Sequence, residues 1–204
     1  LFVEGGGFKE SSRAGLLGLI HGEIYTDGSC YPGVFDGMSR AGWGFVVMKG
    51  EVLVCRVFGS CRRPLSQTAP AAEFMAWVAV AQLADDVALV RSDCKLVVSV
   101  AARRKADQLW PEFVHACFAK CIMAESAASY IKEVARVKAH VDPASVTDAS
   151  LRQQALGNGF ADEAAKPGAR AHAFAEGQLR EAEHLATRDG ATLKALTGIP
   201  LLES

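Results

Sequence analysis

Three strand-like segments follow one another before any helical pattern begins, and that order narrows the folds open to this chain. Residues 23–30, 41–48 and 51–58 read as strands, and Lys49-Gly50 closes the second and third into a hairpin. The pattern then switches to alternating helix and strand. Residues 68–83 are alanine-rich, with Phe74, Trp77, Val78 and Ala81 at spacings of three and four, a one-sided stripe, and Pro70 suits a first helical turn. Residues 87–91 read as a short buried strand, 94–102 and 109–128 as helices, and 130–139 as a fifth strand. Residues 142–156 read as a polar loop with room for one helical turn at 150–156, and 158–166 as a last helix stopped by Pro167-Gly168. An antiparallel meander followed by helix crossovers predicts an α/β protein. Its five-stranded mixed sheet has three antiparallel strands, then parallel ones, with helices on both faces.

The same pass divides the chain. Residues 1–20 carry glycine-rich and short polar runs and read as an N-terminal arm or linker. Residues 21–168 form the domain, and 169–204 a C-terminal helical extension, with a helix of alanine, glutamate and arginine over about 170–190. Glycines at 42 and 44, inside the second strand, predict a close approach of another backbone or a ligand. No stretch approaches the roughly 18 consecutive apolar residues that span a bilayer. The opening Leu1-Phe2-Val3-Glu4-Gly5 has no signal-peptide character and reads as a fragment of something longer. Six cysteines occur without a Cys-x-x-Cys pair, which argues against structural zinc and for reduced thiols in an intracellular compartment.

Four acidic residues in four different contexts carry the chemistry. Asp27 lies in the first strand, Glu73 in the alanine-rich helix, Asp93 just after the buried strand and Asp162 in the last helix. Carboxylates drawn from separate elements onto one spot are what a pair of hard, oxygen-seeking Mg²⁺ ions requires. Two such ions about 3.5–4 Å apart clamp the attacking and leaving oxygens of a phosphodiester. Taken singly, each acid reads equally as a surface group, a cap or an ion-pair partner, and Asp93 alone as a helix N-cap. The formal net charge of −1 does not mark a nucleic-acid binder. The basic clusters are local: Arg56 with Arg62 and Arg63, Arg103-Arg104-Lys105, and Lys132 with Arg136 and Lys138.

The segments Thr26-Asp27-Gly28-Ser29-Cys30, Arg40-Ala41-Gly42-Trp43-Gly44, Gln67-Thr68 ahead of Ala72-Glu73, Ser92-Asp93, Val137-Lys138-Ala139-His140, and Gly157-Asn158 ahead of Ala161-Asp162 occur in order. This set resembles the ribonuclease H family over residues 23–166. The resemblance implies a metal-dependent endonuclease that cuts the RNA strand of RNA–DNA hybrids, leaving 5′-phosphate and 3′-hydroxyl ends. It implies two Mg²⁺ ions, with Mn²⁺ as a substitute. Asp27 would bridge both ions, Glu73 and Asp93 would complete the site of the ion that activates water, and Asp162 would hold its neighbour. His140 resembles the family's mobile histidine, which assists proton transfer or product release. Gly28 and Ser29 would let backbone amides approach a phosphate at a tight turn, and Cys30 and Thr68 sit where the family contacts the substrate backbone. Asn158 would either cap the last helix or hydrogen-bond near the metals.

Three departures qualify the resemblance. Between Thr68 and Glu73 the chain reads Ala69-Pro70-Ala71-Ala72, where the family has asparagine and glutamine to read ribose 2′-hydroxyls. Selectivity for RNA would then rest on backbone groups or on neighbours such as Gln67, or be weaker. Asp162 follows His140 by 22 residues, a longer stretch than in stand-alone members, which predicts an inserted loop that gates or widens the cleft. The tryptophan- and lysine-rich handle of bacterial members is reduced at most to Arg103-Arg104-Lys105 and Trp110. Together these suggest a domain excised from a retroelement reverse transcriptase, its polymerase domain supplying the missing affinity. Alternative readings are a nuclease of the same fold with a relaxed or different nucleic-acid substrate, or a catalytically inactive nucleic-acid-binding module.

Overall fold

The computed structural model describes residues 2–5, 8–10, 18–33, 39–61, 66–104 and 129–171, with isolated helical positions at 180, 184 and 187. Among these, the strands are β1 (Phe2–Gly5), β2 (Phe8–Glu10), β3 (Gly22–Tyr31), β4 (Arg40–Lys49), β5 (Val52–Ser60), β6 (Ala88–Ser92) and β7 (Ile131–Arg136). The helices are α1 (Ala69–Leu83), α2 (Lys95–Arg104) and α3 (Ala149–Arg170). The sheet order is β2-β1-β5-β4-β3-β6-β7. β3, β4 and β5 pair antiparallel, and β6 and β7 join parallel to β3, which is the mixed five-stranded core the sequence predicts. The expected helix over 109–128 falls outside what is described, as do Lys105 and Trp110 of the reduced handle, whose Arg103 and Arg104 close α2, and nearly all of the helix expected over 170–190.

Residues 1–20, read as an arm, contribute two further strands. β1 pairs with β5 through Phe2↔Phe58, Val3↔Val57 and Glu4↔Arg56, and β2 folds back onto β1. A long β5 would otherwise present an open row of backbone donors and acceptors, and this hairpin satisfies one side of it. Strands of four and three residues are too short for a side-chain period to register in the sequence.

Two layers cover the sheet. α1 lies on one face, its Ala72, Ala76, Ala79 and Val80 packed with Ile24, Phe45, Val57 and Val90. The stripe of Phe74, Trp77, Val78 and Ala81 belongs to a second cluster, which meets the sheet at β7, through Ile131 and Val134. It packs against Val97, Val100 and Ala101 of α2. α1 is therefore buried on nearly every side, as expected of a helix apolar all round. Small side chains go toward the sheet because only they permit close approach.

On the other face α3 crosses β3, β4 and β5 with Ala161 and Ala164 against Tyr25, Val46 and Phe58. It is far longer than the expected helix over 158–166. Its start comes early because Asp148 caps it, accepting from Leu151 N–H at 2.8 Å. Much of the stretch expected to be a loop is thus helix. The rest holds a single 3₁₀ turn, Pro143–Ser145, capped by Asp142. Nor does Pro167-Gly168 stop α3. Proline there removes one helical bond, to the Glu163 carbonyl, in the penultimate turn, while Gly168 and Ala169 stay buried against the sheet. The predicted role of the glycines is met: a Cβ on Gly42 would strike the Ala169 backbone, and one on Gly44 would lie 2.6 Å from Ala165 N.

Candidate metal centre

β3 and β6 run parallel, paired up to Thr26↔Ser92. Beyond that rung the chains diverge, and Asp27 and Asp93 stand at the opening, where ligands gather at the carboxyl ends of parallel strands. Asp27 lies opposite Gly44, and the missing side chain there lets α3 descend until the Asp162 charge is felt at Asp27. On the other face Gly28 does the same for α1, since a Cβ would sit 2.8 Å from both Ala69 O and the Ala72 carbonyl carbon. Glu73, in the second turn of α1, is thereby lowered onto the end of β3.

Asp27, Glu73 and Asp93 each offer a carboxylate oxygen within 4.8 Å of the others. Asp27 is 8% and Glu73 7% exposed, so two of the three charges are nearly out of water. Burial, then the Asp93 charge, pushes the Asp27 carboxyl from 3.8 up to about 7. Burial, then Asp27, holds Glu73 well above the carboxylate range. The Glu73 carboxyl and the Gly28 N–H both act on the Asp27 carboxyl against the effect of burial. Glu73 Oε2 is buried without a partner. Such a group needs either protons or a cation to be stable. The all-oxygen donor set and the orphaned Oε2 fit a hard divalent ion.

Asp162 stands outside the tight group of three. It is about one-third exposed and pairs with Lys166 Nζ at 2.9 Å, while Lys166 also reaches Glu163. The sequence reading passed over Lys166, although an i,i+4 Asp–Lys spacing on a helix was there to be seen. Asn158 is not a cap. It lies mid-helix, 5% exposed, and its Nδ2 donates to Asp93 Oδ2 at 3.1 Å, so of its two expected roles only hydrogen bonding near the carboxylates fits.

The remaining expected residues scatter. His140 sits exposed in the turn after β7 with φ 51, and no hydrogen bond or ion pair among the described residues ties it to the carboxylates. Gly28, Ser29 and Cys30 form no tight turn; they continue β3 in register with Trp43, Gly42 and Ala41. Cys30 Sγ donates to the Gln67 carbonyl, and Thr68 caps α1, accepting from Ala71 N–H at 3.4 Å. Gln67 is not free to read a ribose: its Oε1 accepts from Ala41 N–H at 3.0 Å and its Nε2 donates to Cys61 O at 2.9 Å.

No protein-family model matches the sequence, and a search of curated proteins finds no match. Solved structures do match. The ribonuclease H domain of prototype foamy virus superposes with a TM-score of 0.55 at 21% identity, over 74% of this chain and 94% of that domain. The protease–reverse transcriptase of the same virus superposes at 0.54 and 21% identity, again over 74% of this chain but only 21% of that one. The foamy viral protein in complex with an RNA/DNA hybrid gives 0.53 at 17% identity, over 74% of this chain and 20% of that one. Among the described residues, no helix is long and apolar enough to cross a membrane. The chain has the ribonuclease H fold.

Proposed function

We propose that the chain is a metal-dependent endonuclease that hydrolyses the RNA strand of RNA–DNA hybrids. The observation that carries this reading is the cluster of Asp27, Glu73 and Asp93, drawn from three elements to within 4.8 Å, on the fold of foamy virus ribonuclease H. Asp27, Glu73, Asp93 and Asp162 would hold two Mg²⁺ ions, or Mn²⁺ in their place. When bound, these ions supply the charge neutralisation that in-line attack on a phosphodiester needs, giving 5′-phosphate and 3′-hydroxyl products. Asp27 would serve both ions, Glu73 and Asp93 would complete the site of one, and Asp162 would hold the other. Asn158 fixes the Asp93 carboxylate through its amide. Lys166 pairs with Asp162 and would have to release that carboxylate for it to hold a cation. His140, exposed on its turn, would act as a mobile proton carrier or aid product release. Gly28, Ser29, Cys30 and Thr68 border the carboxylates along β3 and the start of α1 and would meet the substrate backbone.

The supporting likeness to one-fifth of a protease–reverse transcriptase suits a domain that works beside a polymerase. A second reading, the same chemistry with weaker selection for RNA, is favoured by Gln67. Its amide is engaged at both ends, and Ala69-Pro70 has no donor side chain. One experiment separates the two. End-labelled hybrid, duplex DNA and duplex RNA are incubated with Mg²⁺ and the wild-type chain or an Asp93→Asn variant. Cutting confined to hybrid RNA supports the first reading, cutting of other duplexes the second. Cutting that survives in Asp93→Asn, or is absent in wild type, rejects both.

A further inference from the structure

Next to the carboxylates the turn after β7 and the first turns of α3 enclose a cleft of about 500 Å³, within the range of ligand pockets of roughly 300–1,000 Å³. Val141, Val146, Leu151 and Ala155 give the cleft an apolar lining, which Arg136 and Lys138 share. Val137 N–H bonds the Ser92 carbonyl at 3.0 Å, which sets this wall one residue from Asp93. Along α3, Leu151, Ala155, Asn158 and Asp162 recur at spacings of four, three and four and share one face. Cleft and carboxylates are therefore successive stations on a single helix face, spanning about 16 Å at the α-helical rise.

The chemistry of the cleft is mixed in a particular way. Leu151, a large aliphatic side chain, is 54% exposed. Arg136 and Lys138 are exposed, have no ion pair among the described residues, and no acid lines the cleft with them. An apolar surface with two uncompensated cations matches one nucleotide outside a helix, whose base face is apolar and whose phosphate is anionic. A base inside a duplex hides that face by stacking, so only an unpaired nucleotide presents both parts together.

We propose that this cleft binds one unpaired nucleotide of a strand that passes the carboxylates, with the base on Leu151, Val141 and Val146 and the phosphate on Arg136 and Lys138. The proposal rests on the hydrolase reading only for the duplex that precedes that nucleotide. An acidic amphipathic peptide has the same charge, but nothing would align it with the carboxylates along α3.

The test is fluorescence anisotropy in EDTA, which leaves strands uncut, using the full chain. Probes are a short blunt hybrid and the same hybrid extended by single-stranded RNA or by single-stranded DNA. One of the two extensions is expected to tighten binding about tenfold, and that one names the strand. Leu151→Glu, at an exposed position that tolerates charge, abolishes that gain and leaves blunt binding unchanged. Arg136→Gln with Lys138→Gln makes the gain less sensitive to salt. Equal affinity for blunt and extended probes overturns the proposal, as does a gain that survives Leu151→Glu. An acidic peptide that displaces the extended probe more tightly than free single strand also overturns it, in favour of a protein partner. Cleavage of blunt hybrid in Mg²⁺ is scored alongside. No cleavage with the gain intact sinks the hydrolase reading alone, and cleavage without the gain sinks the cleft alone.

Discussion

Asn158 Nδ2 donates to Asp93 Oδ2 at 3.1 Å, joining the middle of α3 to the end of β6 across 65 residues of sequence. The amide has one job that an isosteric acid cannot do, because a carboxylate at this position would repel Asp93. Partners that orient a metal ligand typically matter by 10–100-fold in metal affinity or activity. Asn158→Ala should weaken Mg²⁺ affinity about tenfold, and Asn158→Asp should weaken it at least as much at neutral pH, both with an unchanged circular dichroism spectrum. Calorimetric Mg²⁺ titration provides the check, and an Asn158→Asp protein that binds Mg²⁺ like wild type would show the amide to be incidental.

The buried carboxyls make stability depend on pH in a definite direction. Asp27 titrates at about 7 in the folded chain and near 3.8 when unfolded, and burial, then Asp27, also holds Glu73 well above its ordinary range. The folded state therefore retains protons that the unfolded state has lost, so stability is greatest in acid and declines from about pH 4 to beyond about pH 7. In EDTA the melting temperature should fall across that window. Asp27→Asn with Glu73→Gln should flatten the slope and melt higher at neutral pH. Mg²⁺, which needs the deprotonated ligands, should raise the wild-type melting temperature more at about pH 8 than at about pH 5. A Mg²⁺ stabilisation of equal size at both would place the ion somewhere other than these carboxylates.

What the sequence revealed and what it hid follow from the range of the forces involved. The β3–β5 meander and the β6 crossover were legible because strand and helix periods are local. Gly42 and Gly44 were legible as contact points because a glycine inside a strand needs a reason. The facing of α1 was not. Phe74, Trp77, Val78 and Ala81 form a plausible core stripe, yet the sheet takes the alanines, because Gly28 and Ala72 allow an approach that Trp77 would block. The start of α3 was missed although Asp148 is a good N-cap, since the polar turns after it (Arg152, Gln153, Gln154) resemble a loop. Its end was missed because Pro167 is a local stop signal overridden by burial of Gly168 and Ala169. At the site, carboxylate convergence could be guessed from the type and order of residues. The engagement of Gln67 by Ala41 and Cys61 depends on contacts between segments that no local pattern encodes.

Gln67 itself yields a prediction. Its side chain ties the start of β4 to the end of β5, so Gln67→Ala leaves Ala41 N–H and Cys61 O without these partners. Each buried group left unsatisfied costs about 1–3 kcal/mol. Urea unfolding should show a loss of about 2–4 kcal/mol from the pair, with little change in slope. The ratio of hybrid to duplex-RNA cleavage should not move, since the amide faces the protein and not a ribose. A shift in that ratio with stability intact would return Gln67 to the substrate.

Two glycines of the same contact region should respond to alanine in opposite directions. At Gly42 the new methyl would overlap the Ala169 backbone, and neither β4 nor α3 can yield without moving the other and, with it, the helix that carries Asp162. Overpacking of a core commonly costs 1–3 kcal/mol, and backbone against backbone belongs at or above the top of that range. Gly42→Ala should therefore lose about 3 kcal/mol or more, with Mg²⁺ affinity falling too as Asp162 is displaced. Gly159 lies in the same helix as Ala169, yet it is exposed and a methyl there meets nothing within 4 Å. Alanine in an exposed helical position is favoured over glycine by about 1 kcal/mol. Gly159→Ala should thus stabilise by about that amount, although it neighbours Asn158, and leave Mg²⁺ affinity unchanged. Denaturant curves on the two single variants decide it: if both lose stability alike, α3 does not lie on the sheet in the register that brings Asp162 to Asp27.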